Sequence, residues 1–328
     1  MIKRIRKNEQ QNIKQIVNDH GGVDHIQLGC LSVYSQKHEQ KFGEITMTIY
    51  CLYHESDLDG KCSGAIVYDY FKARGEEVIM VPMNYNKEIE IIPDIDEEDK
   101  VFFVDFSLPI EDMIMLNNMC DLYVIDHHKT LIDSINKLKL DFNGIQEIGT
   151  GACELVWRYF YKEDVPYGIK LMARYDVWDH SDPNTLPFQY GMDVRDTTPT
   201  STTWKLVFAD NDDFISDVLS DGDAIGAYVD NKNTAYCNFH AFPMSFEGYN
   251  CVAMNISLTS SLAFKAADPD DIYDIYIAFS YTSNKKWYVS LYTNRDNINV
   301  GELAKKYGGG GHRNAAGFVC DENPFGIK

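Results

Sequence analysis

Leu122 to Ile125 is an apolar run that breaks, with no spacer, into Asp126-His127-His128-Lys129. A short apolar run of this kind reads as a strand buried on both faces. In an open α/β sheet, the carboxyl end of such a strand opens onto the crevice where ligands bind. One carboxylate and two imidazoles at that edge suit a hard or borderline divalent cation. The competing reading is a strand-ending turn with incidental histidines. The other acids of the chain decide between the two.

Upstream, the chain alternates between strand and helix. Ile45 to Tyr53 is rich in β-formers and ends at His54-Glu55-Ser56-Asp57-Leu58-Asp59-Gly60. A helix is predicted over Cys62 to Arg74, with Gly75 as its C-terminal stop. Glu77 to Met83 and Val101 to Val104 read as further strands, the latter ending at Asp105, and Pro109 to Met119 reads as a helix before the Asp121 to Ile125 strand. This alternation implies a mostly parallel sheet flanked by helices, with its crevice where each acid cluster falls.

Residues 150–208 are helical and aromatic in character, with helices predicted over Gly151 to Trp157 and Ile169 to Trp178. The second carries Asp176, followed by Asp179 and His180 as lower-ranked candidate ligands. Ala224 to Asn233 can form a connecting helix, and Tyr249 to Met254, Ile272 to Tyr281 and Trp287 to Tyr292 are β-like. A helix near Val300 to Lys306 then leads into Gly308-Gly309-Gly310-Gly311-His312-Arg313-Asn314-Ala315-Ala316-Gly317. The predicted organisation is an unassigned extension over 1–44, an α/β catalytic domain over 45–208, a linker over 209–235 and a smaller α/β substrate-binding domain over 236–328.

A formal net charge of −20 repels a long polyphosphate duplex, yet tolerates a carboxylate-rich metal site and a substrate with few phosphates. Residues 285–313 depart from that average. They hold Lys285, Lys286, Arg295, Lys305, Lys306 and Arg313 against Asp296 and Glu302, a local net of +4. Eight cysteines without a Cys-x-x-Cys pair argue against a zinc site or a disulfide framework, and favour reduced thiols in a cytoplasmic protein. No run has membrane-spanning length and no secretory signal pattern is present, so no membrane association is expected.

Four acid-bearing element ends are therefore expected to converge: His54/Asp57/Asp59, Asp105, Asp126/His127/His128 and Asp176. Each alone reads equally well as a turn, a helix cap or a surface acid. Together they raise one another's pKa unless cations neutralise them. Two divalent ions about 3.5–4 Å apart do so and clamp an in-line phosphoryl displacement. Oxygen and imidazole donors favour Mn²⁺ or Mg²⁺, with Co²⁺ also suited. The glycine run is expected to form a concave nest of backbone N–H groups for a phosphate or carboxylate, with His312 and Arg313 as added donors.

These residues resemble the motifs of the DHH phosphoesterase superfamily, in the branch with a DHH-associated C-terminal domain. His54-x-x-Asp57-x-Asp59-Gly60, Asp105, Asp126-His127-His128 and Asp176 resemble its four N-terminal motifs, and Gly309 to Gly317 is similar to its C-terminal signature. The likeness spans about residues 47–320 and is greatest to nanoRNase-type oligoribonucleases. It implies His54, Asp57 and Asp105 on one metal ion, and Asp59, Asp105, His127 and Asp176 on the other. Asp126 is implied to orient its neighbours and His128 to face the scissile phosphate, with Gly309, Gly310, Gly311, His312 and Arg313 gripping the substrate's end. Two departures stand out: two residues rather than three separate His54 from Asp57, and Tyr292 occupies a position where relatives carry Arg, for which Arg295 is a nearby substitute.

The implied activity is hydrolysis of short oligonucleotides, or of cyclic or linear dinucleotides, to mononucleotides by a two-metal-activated water, with Mn²⁺ the first choice of metal. The alternatives are a single-strand-specific 5′–3′ exonuclease and a non-catalytic nucleotide-binding protein. A homodimer is an open option.

Overall fold

A computed structural model describes residues 47–85, 95–257 and 259–325. The extension over residues 1–44 lies outside them. The chain divides into two compact units, Met1–Asp223 and Ala224–Lys328.

In the first unit five parallel strands lie in the order β2-β1-β3-β4-β5. These are β1 (Ile49–His54), β2 (Val78–Met83), β3 (Lys100–Val104), β4 (Asp121–Asp126) and β5 (Asn143–Gln146). Successive side chains of a strand point to opposite faces, and the central strands are apolar on both. Ile49, Cys51, Tyr53, Phe102, Val104 and Ile125 pack on one side. Tyr50, Leu52, Val101, Phe103, Leu122 and Val124 pack on the other. The first face is covered by α1 (Leu58–Lys72), α4 (Ala152–Phe160) and α5 (Tyr167–Asp176), which add Ile66, Val156, Trp157 and Leu171 to that core. The second is covered by α2 (Ile110–Asn117) and α3 (Lys129–Leu138) through Met113, Leu116, Leu131 and Ile135. Phe103 is fully buried at the centre of this layer, and its truncation to Ala costs about 3–5 kcal/mol by the usual behaviour of core aromatics. This is the parallel, helix-flanked sheet that the alternation of elements implies.

Several details differ from the sequence reading. Helix α1 starts at Leu58 rather than Cys62, because Asp57 caps it and accepts a 3.0 Å bond from the Gly60 N–H. Gly60 is needed at this close approach, since a Cβ there would lie 2.2 Å from the His54 carbonyl oxygen. Helices α3, α6 (Thr185–Asp193) and α7 (Thr203–Phe208), and the short strand β5, are additional. In α3, Leu131, Ile132 and Ile135 make the only buried stripe of an otherwise polar segment. One helix, α8 (Asp212–His240), runs unbroken through the stretch read as a linker. Among the described residues no helix is long and apolar enough to cross a membrane.

The second unit holds a six-stranded mixed sheet in the order β10-β11-β9-β8-β7-β6. Its strands are β6 (Phe242–Phe246), β7 (Tyr249–Asn255), β8 (Ile275–Tyr281), β9 (Trp287–Tyr292), β10 (Gly310–Gly311) and β11 (Ala315–Cys320). Strands β7 and β8 run parallel and every other neighbouring pair is antiparallel. Helix α9 (Val300–Lys305) packs Val300, Leu303 and Ala304 against Ile277, Val289 and Leu291 on one face of this sheet.

Candidate metal centre

The parallel register sets Tyr53 beside Val104 and Val104 beside Ile125, so the carboxyl ends of β1, β3 and β4 finish level. His54 ends β1, Asp105 follows β3, and Asp126 ends β4 with His127 and His128 behind it. Asp57 and Asp59 arrive on the cap and first turn of α1, and Asp176 on the last residue of α5. The structure brings together all eight residues singled out for this site from the sequence.

Asp105 lies between two sets of donors. Its Oδ2 is 3.5 Å from His54 Nδ1, which also meets Asp57 Oδ2 at 2.8 Å. Its Oδ1 is 3.3 Å from His127 Nε2, which meets Asp176 Oδ2 at 3.0 Å and Asp59 Oδ2 at 3.9 Å. Asp105 is 1% exposed and adopts a left-handed backbone with φ +54°. That conformation costs an L-residue roughly 1–2 kcal/mol and is least unfavourable for Asn and Asp.

Asp59 is held from behind, its two carboxylate oxygens accepting the Ala152 and Cys153 N–H groups at 2.7 and 2.8 Å. These belong to the open first turn of α4, where helix termini favour an anion. The sequence reading missed this support. Its signal is the small Gly151-Ala152-Cys153 step, where a Cβ on Gly151 would lie 2.5 Å from Ala173 Cα.

The electrostatics of the cluster call for a cation. Burial raises the Asp59 pKa well above the usual carboxylate range, and the Asp105 and Asp176 charges add to the rise. Burial also raises Asp105, against the opposing pull of the His127 and His54 imidazoles. For His127, burial alone would lower the pKa, but the Asp105 and Asp176 carboxylates outweigh it and push it up to about 12. His54 follows the same balance, with Asp105 and Asp57 overcoming burial to reach about 10. The protonated imidazoles thus occupy the electrostatic place of a cation. His127 Nε2 nevertheless meets Asp105 Oδ1 and Asp176 Oδ2 as ion-pair contacts without hydrogen-bond geometry, and Asp126 Oδ2 is buried with no hydrogen-bond partner. A buried oxygen left without a partner costs about 1–3 kcal/mol.

Two sets, His54/Asp57/Asp105 and Asp59/His127/Asp176, each present ligand atoms within 4.8 Å of one another. Asp105, Asp126, His127 and His128 form a third such group. A donor set of carboxylate oxygens and imidazoles, with more carboxylates than rings to balance them, fits divalent cations of the Mn²⁺ or Mg²⁺ kind. His128 is distinguished from His127 by its partner. Its Nδ1 lies 2.6 Å from Asp126 Oδ1, which also accepts the His128 backbone N–H at 2.9 Å. Burial alone would raise the Asp126 pKa, but His128 outweighs it and holds the carboxyl below its ordinary range. Asp179 instead accepts from the Ser181 N–H and faces Arg174, and neither it nor His180 belongs to these sets.

The second unit corrects the picture of an open four-glycine nest. The N–H groups of Gly308 and Gly309 donate to Lys305 and Ala304 at 3.1 and 3.0 Å, closing the end of α9, and that of His312 donates to Ala315 at 2.8 Å. Gly308 takes φ +77°, the left-handed position that commonly terminates a helix. Gly310 and Gly311 then pair with Gly317 and Ala316 as an edge strand. A Cβ on Gly310 would meet open space, so a side chain there is sterically free and closes no nest. The basic stretch is also offset by the fold. Arg295 bonds Asp271 Oδ2 at 2.8 Å and the Tyr273 carbonyl at 3.0 Å, which spends much of the fork that was expected to reach substrate. Lys306 meets Glu247 at 2.6 Å, Lys286 pairs with Asp321, and Arg313 donates to the Asp296 carbonyl.

Comparison with known proteins agrees with this layout. Residues 260–324 match the DHHA1 domain family. The chain is 25% identical over 306 residues to the oligoribonuclease NrnB of Bacillus subtilis, covering 84% of this chain and 74% of that protein. An uncharacterized protein of Acanthamoeba polyphaga mimivirus is 22% identical over 304 residues, covering 82% of this chain and 66% of its own length. The DHH domain of a member of the S1p family of ribosomal proteins shares the fold, with TM-score 0.55, 15% identity, and coverage of 84% of this chain and 82% of that one. Residues 260–324 of the second unit thus form a DHHA1 domain, and the chain as a whole, with the Asp-His-His edge of its first unit, resembles the DHH phosphoesterase superfamily in the branch that carries this domain.

Proposed function

We propose that this protein is a metal-dependent phosphodiesterase that cleaves short oligonucleotides or dinucleotides to mononucleotides. The observation that carries the reading is Asp105, buried between two donor sets, with His54 Nδ1 at 3.5 Å on one side and His127 Nε2 at 3.3 Å on the other. His54, Asp57 and Asp105 would hold one divalent ion, and Asp59, Asp105, His127 and Asp176 a second, with Mn²⁺ favoured. Ions bound there would neutralise the carboxylates and supply Lewis acidity toward a phosphoryl oxygen and an attacking water.

The remaining residues have protein-based tasks. Asp126 fixes the His128 ring through Nδ1 and favours its cationic form, since burial alone would lower the His128 pKa but Asp126 outweighs it and raises it. A cationic His128 can pair with a phosphate oxygen and deliver a proton toward a departing hydroxyl. Asp59, anchored on α4, resists displacement when the charge beside it changes. With the backbone N–H groups of Gly309 and His312 already bonded, the stretch Gly309, Gly310, Gly311, His312 and Arg313 would contribute only a secondary share of binding to the substrate's end. The net charge of −20 favours substrates with few phosphates over long strands. NrnB is named as an oligoribonuclease, which agrees with that choice.

The test is turnover on RNAs of two to about twenty nucleotides and on linear and cyclic dinucleotides, with chelator, Mg²⁺ or Mn²⁺. Activity that needs the metal and peaks at two to five units is expected, a range that follows from the family likeness. Metal-dependent activity that rises with strand length indicates the exonuclease instead. Tight binding without turnover indicates the sequestering protein.

A further inference from the structure

Tyr85 stands beside the candidate metal centre and none of the roles above uses it. It follows β2, whose end is level with that of β1, with Met83 opposite His54. Its ring centroid lies 5.6 Å from that of His54, 6.2 Å from that of His128 and 4.5 Å from that of Phe106. The ring is held by its surroundings. The neighbouring Asn84 side chain donates to Ser56 Oγ at 2.6 Å, and the Tyr85 hydroxyl accepts the Ser107 N–H at 3.4 Å. Loops after β1, β2 and β3 therefore fix it together. Yet Tyr85 remains 53% exposed, while Phe106 behind it is 1% exposed. A large ring oriented on several sides and still open to solvent differs from one that merely fills space. Fixing it in advance reduces the entropy lost when a flat partner settles on it.

We propose that the Tyr85 ring is the stacking platform for a nucleobase adjoining the phosphate that is cleaved. The inference rests on the nucleotide-cleaving reading above. Stacking accepts any base, because every base presents a π-face, so the site would select a nucleoside phosphate over a simple phosphodiester without reading sequence. It also gives a short substrate a foothold that does not depend on phosphate count.

Two measurements on the full chain test it. The first uses a dinucleotide containing 2-aminopurine, whose fluorescence falls on stacking, joined by an uncleavable methylene-bridged linkage, with Mg²⁺ present. Wild type and Tyr85→Phe should quench it alike, whereas Tyr85→Ala should lose the quench and bind about five- to a hundredfold more weakly. The second compares kcat/KM on a natural dinucleotide with that on its doubly abasic counterpart. Tyr85→Ala should lose a similar factor on the first and nothing on the second. Equal quenching by Tyr85→Ala and wild type overturns the inference, as does an equal loss on both substrates, which would make Tyr85 a prop for the centre. Wild-type protein that neither binds nor cleaves either compound sinks the function proposal, and this inference with it. Wild-type turnover with an unchanged Tyr85→Ala variant overturns the stacking role alone.

Discussion

The two regions that carry the family's motifs treat charge in opposite ways. At the carboxyl ends of the parallel strands, five carboxylates, Asp57, Asp59, Asp105, Asp126 and Asp176, are gathered with only three imidazoles to face them, His54, His127 and His128. In the glycine-rich region, Arg295, Lys286 and Lys306 are matched by Asp271, Asp321 and Glu247, and the backbone N–H groups of Gly308, Gly309 and His312 already have carbonyl partners. Unbalanced charge in a buried place is expensive, so it persists where something outside the chain completes it. Charge balanced by the fold does not require a ligand. The contrast makes the first region the place where a cation would fit and gives the second a smaller share of binding than its sequence suggests.

The largest effect should come from breaking the point that joins the two donor sets. Asp105→Asn keeps the shape and removes the charge facing both imidazoles. Because even outer partners of metal ligands cost about 10- to 100-fold when lost, this variant should lose more than about 100-fold in kcat/KM. Bound Mn²⁺, counted by elemental analysis, should fall in parallel. Full activity and metal content in Asp105→Asn would remove the basis for the metal centre.

Next comes the division between the paired histidines. His127→Ala should lose metal, because its Nε2 faces Asp59, Asp105 and Asp176. His128→Ala should keep metal and lose turnover by about 10²- to 10⁴-fold, the usual weight of a positioned acid or base. Equal loss of metal by both variants would place His128 among the ligands.

A third effect is proton release. Without metal, His127 and His54 are held protonated up to about 12 and about 10, as Asp105, with Asp176 and Asp57, outweighs burial. A metal needs the neutral ring, so loading at pH 7.5 must expel protons, and affinity must strengthen as pH rises toward those values. Titration of the metal-free protein in weak buffer with an indicator dye should show acidification that scales with bound metal. An affinity that does not vary between pH 6 and 9 contradicts these assignments.

The smallest effects belong to the second region and sharpen its side of the contrast. Gly310→Val has open space for its side chain, so it should fold normally and raise KM by about tenfold or less if substrate passes there. A KM and melting temperature both equal to wild type would exclude Gly310 from the substrate path. Arg295→Ala should instead leave KM unchanged and lower the melting temperature slightly, since a partly exposed ion pair contributes about 0–1 kcal/mol.

The first unit was legible because its two signals are local. Continuous apolar runs mark strands covered on both faces, and acids placed directly after such runs must emerge at one edge of a parallel sheet. His54, Asp105 and Asp126 follow that rule without any distant contact. Helix α3 also carried a local signal, with Leu131, Ile135 and Leu138 at helical spacing, but its polar remainder masked it. Tyr85 carried none, since one aromatic after a strand acquires meaning only from the rings set beside it.

The amino-acid sequence by itself determined the layer architecture and which acids and imidazoles come together at one edge of the sheet. These depend on periodicity and on residue type at element ends, both of which are readable over a few neighbours. Only the tertiary structure decided which charges stay uncompensated. Asp271 is 24 residues before Arg295, and Glu247 is 59 before Lys306. A count over a window includes neither partner. It also decided that the glycines close a helix and an edge strand, because a backbone N–H can serve an anion or a carbonyl, and the carbonyls of Ala304, Lys305 and Ala315 were nearer.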